Sequence, residues 1–335
     1  MTFRPQPKTL QPDAASQRSA QRAAHWRPAL LAVLLILGAG CGVRTPPPPV
    51  TPPTVDGANA LRLATAVAAL GPRPAGSAGA ARAAAWLADR CRDAGYTPEI
   101  DHWTEAPAGT PLNFRSVVAR LPGRAPGRIL LASHFDTKVL AEAPGFTGAN
   151  DSASSTGLLL ELMRAFAALQ PAWSGPTLEF AFFDGEECLE RYSERDGLRG
   201  STHWADRIRR RNGAADYRAM ILLDMVGDRD LKLTLPADTP PDLARRLLRL
   251  AEKRGWEKQV GFYAGNLLDD HTPFQELGIP AVDLIDFDYG PENAWWHTAE
   301  DTVDKLSATS LAIAGQLAAD LAADLASRPV DKGGN

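Results

Sequence analysis

The chain has 335 residues, of which 44% are hydrophobic and 23% charged, with a formal net charge of −4; this is an ordinary globular composition, and the length allows one large α/β domain or two small ones. Residues 1–40 carry five basic side chains (Arg4, Lys8, Arg18, Arg22, Arg27) and one acid (Asp13), so the rest holds 31 basic and 39 acidic residues, a net of −8. That balance leaves no cationic footprint and argues against nucleic acid as a partner.

In chain order, the first feature is a leader. Arg22 and Arg27 precede an apolar run from Ala29 to Leu37, and small residues follow up to Cys41. The run is shorter than the roughly 20 apolar residues a spanning helix needs, and its layout is that of an export signal. The pattern resembles a bacterial lipoprotein signal over residues 1–40, with Cys41 as the lipidated residue. A Pro-rich tether follows over 41–55, including "RTPPPPVTPPT" (44–54), which cannot form a helix. These features predict a lipid-anchored protein of a bacterial cell envelope. Cys91 and Cys188 are the only other cysteines; they could pair, or sit buried as small apolar residues.

Helical periodicity begins at 59–71 and ends on Gly71, and an Ala-rich helix over 77–95 opens on Ser77 and stops at Gly95. Strand-like runs come next: "TPEIDHW", "FRSVVARL" and "GRILLASHFD" (127–136). From there helices and strands alternate: helix 155–169, strand 177–185, helix 200–211, strand 219–227, helix 241–255, strand 279–286 and a closing helix over 304–326. The alternation predicts an α/β fold, one domain over 56–327 with a central sheet covered by helices on both faces, followed by a flexible tail (328–335). A monomer is expected.

On this map the acids and histidines fall at strand ends. His134 and Asp136 end one strand, Asp184, Glu186 and Glu187 a second, and Asp224 a third; Asp151 opens a helix and His297 follows the last strand. Sites in α/β sheets form where the carboxyl ends of strands meet. Singly, each residue reads as a turn, a cap or a rim residue. Jointly they offer a histidine and two carboxylates to a metal, with spare carboxylates beside it, which fits a hydrolytic type of zinc site with an open position. A divalent cation would compensate the carboxylates and polarise a substrate carbonyl. Glu186, next to the candidate ligand Glu187, would have its pKa raised by burial and like charge, as suits a general base near neutral pH.

The motifs "SHFDTK", "GANDSAS", "FFDGEE", "LLDMVG", "DDHTPF" and "WWHT" stand in the order found in animal-type glutaminyl-peptide cyclotransferases, relatives of the co-catalytic zinc aminopeptidases. The resemblance spans about residues 60–325. It implies a zinc-exopeptidase-like fold, a mixed central sheet flanked by helices, and one zinc ion held by Asp151, Glu187 and His297. It assigns Glu186 as general acid/base, Asp224 and Asp269 as an acid pair beside the substrate, and Trp296 to the substrate pocket. The implied substrates are peptides or proteins with an N-terminal glutamine, cyclised to pyroglutamate with loss of ammonia.

Aminopeptidases use His134, Asp151, Glu187, Asp224 and His297 for two zinc ions, and all five types are present, so His134 is either a ligand of a second metal or a partner behind the first. Asp269, where aminopeptidases usually have Ser, favours the cyclase, as do Asp184-Gly185 and Trp296. Two pocket positions depart from the animal enzymes: Tyr192 replaces a Trp, and Leu268 replaces a polar residue. The animal disulfide has no partners here, since Ser133 and Thr156 occupy the nearby positions. Cys188 has no histidine placed as its base and reads as a packed residue.

Overall fold

The computed structural model describes residues 50–193 and 196–328. The leader, Cys41, the tether up to residue 49 and the tail beyond residue 328 lie outside the described residues. Among the described residues no helix is long and apolar enough to cross a membrane.

Fifteen elements are described here. They are α1 (Gly57–Ala68), α2 (Ala78–Asp93), β1 (Glu99–Glu105), β2 (Leu112–Leu121), β3 (Arg128–His134), α3 (Ser155–Ala167), β4 (Thr177–Phe183) and α4 (Arg199–Arg210), followed by β5 (Tyr217–Asp224), β6 (Leu233–Leu235), α5 (Pro241–Arg254), β7 (Val260–Phe262), α6 (Thr272–Gln275), β8 (Ala281–Ile285) and α7 (Ala308–Ala326). Local chemistry sets several ends. Asp56 accepts from the Ala58 and Asn59 N–H groups ahead of α1, Ser77 caps α2 through Ala80 N–H, and Ser307 caps α7. Gly255, at φ +73°, closes α5 in the left-handed conformation that glycine tolerates.

The strands form one mixed sheet in the order β1-β2-β4-β3-β5-β8-β6-β7. Its centre, β4-β3-β5-β8, is parallel; β1 and β2 run antiparallel at one side, and β6 pairs antiparallel with β8. Alternate residues of the central strands enter different cores, as the two-residue period of a strand requires. Ile129, Leu131, Phe180, Phe182, Ile221 and Leu223 pack under α1, α2, α3, α5 and α7. Leu130, Ala132, Ala181, Phe183, Met220 and Leu222 face α4 and α6 through Trp204, Ile208 and Phe274. The sheet is therefore covered on both faces, as the alternating pattern predicts. The three-residue strands β6 and β7 are additions to the expected elements, because runs so short carry no period.

Two details fix the layers. Gly157 lets α3 approach α1 closely: a Cβ there would lie 2.3 Å from Ala64 N. Glu179 of β4, fully buried, accepts from Arg120 Nε (2.7 Å), Trp204 Nε1 (3.1 Å) and Tyr217 Oη (2.6 Å), so one carboxylate joins β2, β4, β5 and α4. Cys91 and Cys188 are both free and buried; Cys91 Sγ meets Met163 Sδ, while Cys188 Sγ lies 2.6 Å from Lys138 Nζ.

Candidate active site

The four parallel strands deliver their carboxyl ends to one place. His134 is the last residue of β3 and Asp224 the last of β5; Asp184 to Glu187 follow β4, and the chain leaving β8 carries Trp296 and His297. Asp151 belongs to the short turn Ala149–Ser154 that leads into α3. Gly148 begins that turn at φ +51°, and a Cβ on it would sit 1.8 Å from Asp151 O, so the tight turn admits only glycine.

Asp151 is the centre of the arrangement. Its Oδ2 lies 3.1 Å from His297 Nε2, which is also 3.1 Å from Glu187 Oε1. Its Oδ1 lies 3.2 Å from His134 Nε2, which is 3.3 Å from Asp224 Oδ1. One carboxylate thus turns an oxygen to each of two donor sets, Asp151–Glu187–His297 and His134–Asp151–Asp224, and each set brings its atoms within 4.8 Å of one another. Imidazole nitrogen and carboxylate oxygen are the donors a structural or catalytic zinc takes, and all three acids and both histidines are mostly or wholly removed from water. The residues fit a divalent cation.

The electrostatics agree. Burial alone would lower the His297 imidazole, but Asp151 and Glu187 hold it up at about 10. His134 is likewise held well above its ordinary value against its burial, through Asp136, Asp151 and Asp224. Both rings sit where positive charge is favoured. Burial drives the Glu186 carboxyl well above the carboxylate range, and the charges of Glu187, Asp269 and Asp270 add to this against the pull of His134. Asp269 rises for the same first reason, with Asp224 and Asp270 as its like-charged neighbours. A fully buried cation, Arg73, donates from Nε to the Phe135 carbonyl: burial lowers its guanidinium to about 10 while Asp136, Asp301 and Asp151 oppose the loss.

Two further carboxylates hold the ligand-bearing loops. Asp136 accepts from the Glu186 and Glu187 N–H groups (3.1 and 3.2 Å) and lies 3.4 Å from His134 Nδ1. Asp301 accepts from the Asn150 and Asp151 N–H groups (2.7 and 3.2 Å) and from Tyr289 Oη (2.8 Å). Asp301 stands four residues after His297, so it ties the His297 loop to the Asp151 turn. Their burial, 0% and 2% exposed, separates them from the solvated acids they resemble in the sequence. Asp136 was visible only as a strand-end acid, and Asp301 only as one more acid in "HTAED".

Above the donors lies a cavity of about 340 Å³ lined by Glu186, Tyr192, Asp224, Leu268, Asp269 and Trp296, among others. Every pocket residue expected from the sequence borders it. His134 does not; it lies beneath, between Asp136, Asp151 and Asp224. Lys138, Leu267 and Phe287 also line the wall. The Tyr192 hydroxyl donates to Glu186 Oε1. Its loop is held by Asp196, which accepts from the Leu189, Glu190 and Arg191 N–H groups. Trp296 stacks on His297 at 4.1 Å and meets Phe287 edge-on at 5.0 Å.

Residues 116–322 match peptidase family M28. The chain belongs to that family. Its likeness within the family runs to the glutaminyl cyclases. It is 33% identical over 264 residues to the glutaminyl-peptide cyclotransferase-like protein of Mus musculus, a match covering 69% of this chain and 66% of the relative, just under two thirds of that protein's length. The crystal structure of an Acidobacteriales bacterium glutaminyl cyclase aligns with a TM-score of 0.77 and 35% identity, covering 82% of this M28 chain and 96% of the other. A leucine aminopeptidase precursor from Bacteroides thetaiotaomicron aligns with a TM-score of 0.72 at 24% identity, over 81% of this chain and 98% of that one, a likeness of fold.

Proposed function

We propose that this M28 protein is a zinc-dependent glutaminyl-peptide cyclotransferase, acting on peptides or proteins that begin with glutamine. The observation that carries the reading is the buried Glu186 carboxyl on the cavity wall, directly beside the Glu187 donor and within the field of Asp269. The similarity to glutaminyl cyclases supports it.

Asp151, Glu187 and His297 would hold the ion, which when bound supplies Lewis-acid polarisation of the γ-carbonyl. Glu186 takes a proton from the substrate's α-amine as the nitrogen attacks Cδ of its own side chain. The new N–Cδ bond closes the lactam, the Cδ–N bond to the amide nitrogen breaks, and Glu186 returns the proton to the departing ammonia. Nucleophile and electrophile belong to one residue, so fixing the folded conformer supplies much of the rate. Trp296, Leu268 and Phe287 exclude water around that conformer, while Tyr192 orients Glu186. Asp224 and Asp269 receive the substrate's polar hydrogens. One ion suffices for this chemistry, and Asp269 beside Asp224 makes that carboxylate less free for a second.

The His134–Asp151–Asp224 set favours a second reading, a two-zinc aminopeptidase. Incubating the protein with a Gln-initiated and a Leu-initiated peptide, followed by mass, separates the two. Loss of one ammonia from the Gln peptide, with the Leu peptide intact, is the expected result; release of free leucine without ammonia loss would establish the peptidase. We further place the protein in a bacterial cell envelope as a monomer, anchored through Cys41.

A further inference from the structure

The parallel strands end at the cavity, so their beginnings mark the opposite edge of the sheet. The described chain enters at that opposite edge. The Val50 N–H donates to Ser327 Oγ (2.8 Å), just past the end of α7. Arg218, second residue of β5, donates to the carbonyls of Pro126, ahead of β3, and of Leu325, Ala326 and Arg328 (2.7–3.2 Å). Val50, the starts of β3 and β5 and the end of α7 are thereby gathered at one corner.

The same edge collects exposed arginines. Arg124 lies in the turn before β3; Arg210 and Arg211 stand where α4 returns towards β5, with Arg211 Nη2 on Tyr217 Oη (3.0 Å). Arg245 and Arg249 lie one helical turn apart on the outer face of α5. Arg328 reaches Asp242 Oδ2 (3.1 Å) and so joins the first turn of α5 to the corner. The exposed acids on these segments are Asp216, Asp242 and Glu252, against the six exposed arginines just named, and Glu252 lies in the last turn of α5, away from Asp242 and Arg328. In a chain that nets −8 beyond its leader, this is a local reversal of sign, and it lies across the sheet from the acid-rich cavity.

We propose that this arginine-bearing edge rests on an anionic phospholipid surface, with the cavity facing away from it. Nine residues lead from Cys41 to Val50, which reach about 30 Å at most. A lipid on Cys41 therefore keeps the edge from which the chain emerges within that distance of the bilayer. Each basic side chain near such a surface strengthens adhesion about fivefold, an effect that fades beyond a Debye length and so weakens with salt. The proposal is independent of the reaction at the cavity.

The unit Thr45–Asn335 is compact by itself and lacks Cys41, so its adhesion reports the surface alone. We expect it to sediment with vesicles containing 30% phosphatidylglycerol and not with pure phosphatidylcholine, and to be released by 0.5 M salt. Arg245→Glu with Arg249→Glu should lower the partition coefficient at least tenfold, Arg245→Gln with Arg249→Gln less, and both should keep the wild-type turnover of a soluble peptide. Arg62→Glu with Arg82→Glu, the same charge change on α1 and α2, should leave adhesion intact. Absence of sedimentation, equal adhesion to neutral vesicles, or equal loss in the α1/α2 control would each overturn the proposal.

Discussion

Glu186 shows how position alone changes what a carboxyl can do. It neighbours Glu187, yet one faces His297 across 3.1 Å while the other takes the Tyr192 hydroxyl and borders the cavity. Glu186→Gln keeps the shape and the hydrogen-bond acceptor but cannot take a proton. Turnover should fall by roughly 10²–10⁴ while the metal content per chain, measured by elemental analysis, stays unchanged. A loss of metal would make Glu186 a ligand, and turnover within a few-fold of wild type would move the proton transfer to another group. The ligand candidates were legible in the sequence because a histidine and several carboxylates at strand ends have few other joint uses. The supporting acids were not. Asp301 reads as a solvated loop residue until the chain after β8 folds back and buries it on Asn150 and Asp151.

At the scale of the elements, the layer on one face depends on a close approach of α1 and α3. Gly157 meets the backbone of Ala64 where any side chain would stand. Gly157→Ala must push the helices apart, and overpacking of this kind costs about 1–3 kcal/mol. A lower Tm by calorimetry is expected; an unchanged or higher Tm would mean that α1 can shift freely. The long elements were readable because their apolar periods and caps agree: Ser77 and Gly255 mark real ends. Boundaries moved where the chemistry of the site intrudes. The strand expected to run to 227 stops at Asp224, since Met225 adopts φ +50° and turns the chain out of the sheet. The strands β6 and β7 and the four-residue α6 have too few residues to show any period.

At the scale of the whole molecule, the interior of one edge holds a crowd of carboxyls whose ionisation opposes folding. Burial raises both Asp270 and Asp301 to about 7. Their folded values exceed the ordinary 3.8, so the stability they contribute is fully present below about pH 4 and is lost as pH rises through 7. A bound cation offsets this repulsion, and its removal leaves protons as the remaining compensation. Chelation should therefore lower Tm more at pH 8 than at pH 5.5. A drop independent of pH would mean that the cation stabilises through its ligand bonds alone. Asp151 carries a consequence of another kind. Its two oxygens already address both donor sets, so a descendant of this scaffold could pass between one-ion and two-ion chemistry without rebuilding a loop. The evolutionary distance between a cyclase and a peptidase, on this frame, is then measured in side chains such as Asp269, and the backbone can stay as it is.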